Sequence, residues 1–250
     1  MITDTTPLWQ PSPERIEATR MTAFMKEASR CWDRTFASHS DYAGLHRWSI
    51  EHADEFWSQV WDFAGVRGDK GTTVVADREK MPGAKWFPQA RLNFAENLLR
   101  KRDDSDALVF WGEDKVKQRL THADLYRQVA HLAAALRASG VVAGDRVAAY
   151  MPNMPETLVA MLAASSIGAI FTSASPDFGV QGVLDRFGQT EPKVMFACDG
   201  YYYNGKIVDS LGKVAEIAAQ LPSLQQVVVV RYVHQAHDLT QIPRAVMLND

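Results

Sequence analysis

The sequence predicts an α/β protein in which an N-terminal helical region precedes a β-hairpin and an incomplete, mostly parallel sheet. Three observations carry that prediction. Apolar runs at Arg146–Met151, Ala169–Ala174, Lys193–Cys198 and Gln226–Val233 alternate with helix-length segments at Pro155–Ile167, Gly179–Phe187 and Lys206–Leu221. This is the rhythm of βαβ units with helices on both faces of a parallel sheet. Ahead of them, Ala107–Trp111 and Lys115–Leu120 flank the turn Gly112-Glu113-Asp114, as the arms of a hairpin do. The first hundred residues instead repeat their apolar side chains at helical spacing and are rich in tryptophan.

Ser12-Pro13-Glu14 reads as a helix start: a capping hydroxyl, proline at the first helical position, then an acid at the positive end of the dipole. Ile16, Met21, Phe24, Met25, Ala28 and Trp32 continue it. A second helix is expected from Ser49, with Ile50, Ala53, Phe56, Trp57, Val60, Trp61 and Ala64 on one face. Glycines and prolines break Gly65–Gln89 into loop, and Asn93-Phe94-Ala95-Glu96 has capping-box spacing for a short third helix. Thr121-His122-Ala123-Asp124 caps a helix running to Gly140. The change in character near residue 106 sets the expected division, 1–105 helical and 106–250 α/β. Pro243–Asp250 shows no closing element, so Val227–Val230, apolar on both sides, is expected to be exposed at a break and to favour self-association.

Composition excludes several classes. Of 250 residues, 46% are hydrophobic and 23% charged, ordinary for a globular protein. Lys+Arg 27 against Asp+Glu 30 leaves a net charge of -3, which argues against a nucleic-acid partner. Cys31 and Cys198 lie far apart without a CxxC spacing and read as buried thiols of a reducing compartment. Met1–Thr6 has neither a basic nor an apolar leader region, and Leu158–Ala174 is interrupted by Ser165, Ser166 and Thr172, so no membrane partner is expected and the cytoplasm is. His39, His46, His52, His234 and His237 sit in unrelated contexts, with no metal-ligand spacing. No GxGxxG follows a strand and no G-x-S-x-G elbow occurs. Asp177-Phe178-Gly179 spells a kinase metal motif but lacks the rest of the kinase set. The tryptophans at 48, 57, 61 and 86 read as core packing.

Leu120-Thr121-His122-Ala123-Asp124-Leu125 resembles the first core motif of the adenylate-forming enzymes. Met151-Pro152-Asn153-Met154-Pro155-Glu156-Thr157 with Ala163–Ala169 resembles the second. Trp86–Leu99 is similar to the block that precedes the nucleotide-binding domain in acetyl- and acetoacetyl-CoA synthetases, and Ser173–Val180 is similar to the acetoacetyl branch. The resemblance covers essentially the whole chain. It implies the front portion of an AMP-forming acyl-CoA synthetase, which activates a carboxylate such as acetoacetate with ATP and Mg2+ and passes the acyl group to coenzyme A. The family's phosphate loop and adenylation residues lie downstream of what is matched, so no catalytic residue is assigned here. No cofactor is expected to bind these 250 residues tightly, and they are expected to be inactive alone. The rival readings are a non-catalytic truncated binding or assembly module, and a related short-chain acyl-CoA synthetase such as an acetyl-CoA synthetase.

Two loops are candidates for a coenzyme A flank. Phe178 stands at the turn after a parallel strand, where open α/β sheets place ligands; it either packs as core or lines the coenzyme A approach. Tyr203-Asn204-Gly205-Lys206 is read as a strand-to-helix junction, where backbone N–H groups, the dipole and Lys206 favour an anion. The resemblance places the coenzyme A 3′-phosphate there, with Lys206 at the second basic position of the family loop. Tyr203 stands where the family has arginine, so a solvated Lys206 at a helix start is the other reading.

Overall fold

The computed structural model describes residues 7–38, 41–234 and 238–248. Met1–Thr6, His39 and His237, named above, lie outside the described residues. The chain divides into two compact units, Met1–Leu92 and Asn93–Asp250.

In the first unit, α1 (Pro13–Glu17) and α2 (Arg20–Trp32) are separate because Thr19 takes an extended backbone and its hydroxyl caps Thr22 N–H at 3.1 Å. The helix expected from Ser49 is also two: α3 (Tyr42–Glu51), capped by Asp41, and α4 (Ala53–Phe63). They meet at His52, whose φ of −125° and ψ of 55° leave the helical region. That bend brings Trp48 edge-on to Phe56, ring centroids 5.4 Å apart, over a core of Phe24, Met25, Ala28 and Leu45. Glu55 accepts from Arg34 and from Trp48 Nε1 at 3.0 Å, the latter tying the two helices together. Short antiparallel pairs follow, β1 (Gly68–Asp69) with β4 (Arg91–Leu92) and β2 (Val75–Ala76) with β3 (Lys85–Trp86). Trp48 is core, as expected, but Trp57 and Trp86 are each 43% exposed and touch edge to face at the surface. The helical period counts apolar positions and does not say how much of a large ring a thin unit can cover.

The second unit opens with α5 (Phe94–Leu98), which the change in composition near residue 106 would have left with the N-terminal region. Asn93 explains its place. Its side chain caps α5 by accepting from Glu96 N–H at 3.0 Å, and its amide donates to Ser165 and Ser166 carbonyls at the end of α7 (Pro155–Ser166). The hairpin β5 (Asp106–Gly112) and β6 (Val116–Thr121) leads into α6 (His122–Ala138) through a reciprocal Thr121/Asp124 capping box.

Five parallel strands form the main sheet: β7 (Arg146–Tyr150), β8 (Ile170–Ala174), β9 (Val194–Cys198), β12 (Gln226–Val230) and β13 (Ala245–Met247), in the order β13-β12-β9-β7-β8. The remaining elements are α8 (Val180–Thr190), the hairpin β10 (Gly200–Tyr203) with β11 (Lys206–Asp209), and α9 (Leu211–Gln220). Alternate residues feed opposite cores, as the strand period demands. Val147, Ala149, Phe196 and Val228 pack under α6 and α7, while Ala148, Tyr150, Met195 and Val229 pack under α8 and α9. Two expectations fail here. Ala245–Met247 does close the described sheet, pairing in parallel with Val227–Val229. β12 is therefore bonded on both sides, to β9 and β13, and the proposed reason for self-association through Val227–Val230 falls with it.

Asn93 joins one cap to a second helix end, so Asn93→Ala should cost about 2 kcal/mol, the sum of a cap and a half-buried amide contact; urea melts of the two proteins check this. Asp145 holds the turn before β7, accepting from Val142 N–H at 2.9 Å and from Lys193 at 3.1 Å. The Val142 hydrogen bond, above all, lowers its carboxyl pKa. A lowered folded pKa stabilises above the unfolded value and stops doing so as pH falls through the folded one. The stability gap between the parent and Asp145→Ala should thus be full above the ordinary aspartate value of 3.8 and close below it, as denaturant melts across pH would record.

Candidate functional site

Numbered along the chain, the five strands stand in the order 5-4-3-1-2, and the direction of winding reverses between β7 and β9. Open α/β sheets bind ligands in the crevice outside the strand carboxyl ends at such a reversal. Two elements carrying the sequence-predicted residues converge there: the turn after β8 and the hairpin after β9.

The turn Ser175–Gly179 is fixed from below. Tyr150, the last residue of β7, is fully buried, and its hydroxyl lies 2.9 Å from the Pro176 carbonyl and 2.7 Å from the Phe178 carbonyl, sharing its one proton between them. Lys213 of α9 reaches the same Pro176 carbonyl at 3.4 Å, and Phe178 N–H closes the turn on the Ser175 carbonyl at 3.1 Å. Held this way, Phe178 is 40% exposed, which removes the core-packing reading. The Arg186 guanidinium of α8 sits 4.2 Å from its ring centroid, a cation–π stack at the surface.

Tyr203-Asn204-Gly205-Lys206 is not a strand-to-helix junction. Asn204 and Gly205 have φ of 54° and 73° and form the two-residue turn of the β10–β11 hairpin, in which Tyr203 pairs with Lys206. Asn-Gly is the sequence best suited to such a turn, because both residues tolerate the left-handed backbone. The helix starts only at Leu211, so its dipole does not reach Lys206. Gly205 N–H donates instead to the Glu113 carboxylate, at 2.9 Å, from the turn of the β5–β6 hairpin. Only the base of the hairpin meets the other candidate loop: Tyr201 in β10 interacts with Asp177 beside Phe178, whereas the Tyr203–Lys206 tip is tied to Glu113.

Sequence reasoning missed Asp199, the residue that seats the hairpin. It is fully buried after β9, and its carboxylate accepts from Tyr232 and Val233 N–H at 2.9 and 3.0 Å and from His234 N–H at 3.0 Å. Next to it, a side chain on Gly200 would meet Val233 at 2.5 Å and the Val208 carbonyl at 2.7 Å, so only glycine lets the hairpin fold back this closely. An acid immediately followed by glycine at a strand's carboxyl end was the available signal.

Burial pushes Tyr150 and Tyr201 up to about 12, the latter helped by Asp177, and burial likewise pushes the Cys198 thiol up to about 12. All three stay protonated at neutral pH and supply neither base nor nucleophile. Exposed here are the Phe178 ring backed by a guanidinium, and Tyr203 with Lys206 at the hairpin turn. Of the two cysteines, Cys198 is buried as expected and Cys31 is exposed. Among the described residues no three His, Cys, Asp or Glu side chains group as metal ligands, and no helix is long and apolar enough to cross a membrane.

Comparison with known proteins agrees with this architecture. The N-terminus family of acetyl-coenzyme A synthetase matches residues 42–98, and the AMP-binding enzyme family matches residues 94–245. An acetoacetyl-coenzyme A synthetase of Rhizobium meliloti (strain 1021) is 52% identical over 215 residues, covering 86% of this chain and 33% of the relative. A malonamoyl-CoA synthetase of Penicillium aethiopicum is 38% identical over 247 residues, covering 95% of this chain and 34% of the relative. The solved acetoacetyl-CoA synthetase from Streptomyces lividans superposes with a TM-score of 0.88 at 42% identity, over 98% of this chain and 37% of that one. This chain thus spans about a third of the length of the relatives it matches, their N-terminal part. With a match over most of its second unit and this likeness throughout, the chain belongs to the AMP-binding enzyme family.

Proposed function

We propose that this chain is the N-terminal part of an ATP-dependent acid–thiol ligase acting on acetoacetate. Such an enzyme joins the carboxylate to AMP with release of pyrophosphate, Mg2+ accompanying the ATP, and then transfers the acyl group to coenzyme A in the cytoplasm. The 52% identity to an acetoacetyl-coenzyme A synthetase carries this reading. The malonamoyl-CoA relative sets its breadth. Acetoacetate and malonamate both carry a carbonyl on the third carbon, so short 3-oxo acids are the substrate class. Residues 1–105 serve as the helical lead-in and 106–250 as the start of the AMP-binding domain.

Within it, Phe178, Tyr203, Asn204, Gly205 and Lys206 flank the coenzyme A site. Phe178 offers an exposed face to the ligand, and Lys206 offers the charge for its 3′-phosphate. Without a helix dipole behind it, an exposed lysine–phosphate contact contributes on the order of 1 kcal/mol and weakens with salt.

The test is a chimera that continues this chain with the downstream portion of the Rhizobium meliloti enzyme. It should form a coenzyme A thioester from acetoacetate, and failure with acetoacetate and malonamate alike overturns the function. This chain alone should show no acetoacetate-dependent pyrophosphate exchange. Lys206→Ala in the chimera should raise the Michaelis constant for coenzyme A about five-fold, leave adenylation unchanged, and remove most of the preference over dephospho-coenzyme A. An unchanged preference would remove Lys206 from the site while leaving the activity reading intact.

A further inference from the structure

Two cations stand on the candidate surface, and their surroundings differ. Lys206 shares its turn with the Glu113 carboxylate, which accepts from Gly205 N–H at 2.9 Å. Arg186 of α8, beside Phe178, has no such neighbour. The acids closest to it in sequence are engaged elsewhere: Asp185 accepts from Gln181 Nε2 at 2.7 Å, and Asp177 from Ser175 Oγ at 2.9 Å. Among the described residues no carboxylate pairs with Arg186, and the residue is exposed.

Exposed as it is, the guanidinium is held in one place. Gly182 and Arg186 lie one turn apart on α8, so the arginine folds back toward the helix start, as helical side chains do. Its Nη1 donates to the Gly182 carbonyl at 2.6 Å, and its Cζ lies 4.2 Å from the Phe178 ring centroid. Gly182 leaves the room for this. A methyl group there would lie 3.6 Å from Nη1 and 3.7 Å from Phe178 Cδ1, so anything larger would push the guanidinium off the ring. The ring is in turn fixed through the Phe178 carbonyl by the buried Tyr150 hydroxyl. A guanidinium carries five N–H donors, and Arg186 gives none to an acid. Arg119 and Arg127 give theirs to Asp106 and Asp124, and Arg146 to the Thr190 and Glu191 carbonyls. Ordering an arginine costs side-chain entropy, which a merely solvated one need not lose.

We propose that Arg186 binds the 5′-diphosphate of coenzyme A, with the Phe178 ring as the shelf that holds its guanidinium in place. The proposal rests on the coenzyme A reading of this surface and adds to it a residue and a part of the ligand. An ordered fork with open donors matches a pair of phosphate oxygens. Coenzyme A carries its negative charge in two places, a monophosphate on the ribose 3′ oxygen and a diphosphate on the 5′ oxygen. The cations of this surface are likewise separate. Lys206 is at the hairpin tip against Glu113, and only the hairpin base, through Tyr201 and Asp177, reaches the Phe178 turn. With the 3′-phosphate at Lys206, the diphosphate falls to Arg186. Lysine is no substitute there, because an ammonium neither lies flat on a ring nor forks to two oxygens.

Three thiol acceptors separate the possibilities. In the chimera described above, Arg186→Lys should raise the Michaelis constant about ten-fold for coenzyme A and for dephospho-coenzyme A alike, since both keep the diphosphate. Pantetheine, which has the thiol and no phosphate, should serve variant and parent equally. An unchanged constant for coenzyme A overturns the proposal. So does an equal loss with pantetheine, which would make Arg186 structural, and so does a loss with coenzyme A alone, which would give Arg186 the 3′-phosphate. Binding is read separately, on this chain and without turnover, by NMR titration with dephospho-coenzyme A. The parent should bind it weakly, Arg186→Lys about ten-fold more weakly still, and Lys206→Ala as the parent does, because this ligand lacks the 3′-phosphate. Arg186→Gln is the second variant should the first misfold. No binding by the parent chain, or equal binding by the Arg186 variant, overturns the proposal. This titration decides the contact even where the chimera forms no thioester, so the activity reading and the Arg186 contact fail separately.

Discussion

The constraint on which the second unit depends is the burial of β7 on both faces and both edges. Val147, Ala148, Ala149 and Tyr150 have no exposed surface, and β8 and β9 bond to the strand from either side. No residue in such a strand can be polar without a partner. Its two alanines let α7 approach on one face and α8 on the other. Tyr150 then meets the same demand at the strand's end: a buried hydroxyl must find acceptors, and it finds them in the turn that carries Phe178. The packing rule for the core and the placement of an exposed aromatic ring are thus one arrangement. Tyr150→Phe would keep the first and loosen the second.

Much of this fold was legible because parallel strands advertise themselves. Val194–Cys198 and Gln226–Val230 are continuous apolar runs between turn residues, and nothing local competes with that reading. The hairpin β10–β11 was not read, for a definite reason. Leu211, Val214, Ile217, Ala218 and Leu221 repeat at helical spacing, and Ile207 falls in phase with them. The helix pattern therefore extends backward over Lys206–Asp209, and Asn204-Gly205 looks like a loop before it. The competing period of two, with its Asn-Gly turn, is only four residues long on each side. β13 failed the same way, since three residues after Pro243 and Arg244 are too few to show any period. The break at His52 has no glycine or proline to announce it.

The candidate site divides similarly into what sits on loops and what holds them. Phe178 and Lys206 were nominated as candidates because turns after strand ends carry ligand contacts in open α/β sheets. Tyr150 and Asp199 were not, because their acceptors and donors lie 26 to 35 residues away along the chain. A side chain that bonds distant backbone leaves no pattern around itself. Asp199 is the sharper case: three N–H groups from one turn converge on it, so its acidity serves the turn after β12 and not a ligand. Sequence alone offers an acid at a strand's carboxyl end, which looks equally like a catalytic group.

That distinction changes what Lys206 can be asked to do. At a helix start, a phosphate would gain from the dipole and from several free N–H donors as well as from the lysine. On the hairpin it has none of that. Gly205 N–H already donates to Glu113, and Tyr203 N–H and Lys206 N–H belong to a pair of strands. A phosphate arriving at this turn would also feel the Glu113 carboxylate, a like charge on the far side of Gly205. Under the proposed reading the lysine is an exposed point charge working against a neighbouring acid, a contact that can tune affinity for coenzyme A but cannot supply most of it. The larger share must come from surface that can exclude water. In the proposed site that surface is the ring of Phe178, stacked on Arg186 and held to the sheet by the buried hydroxyl of Tyr150.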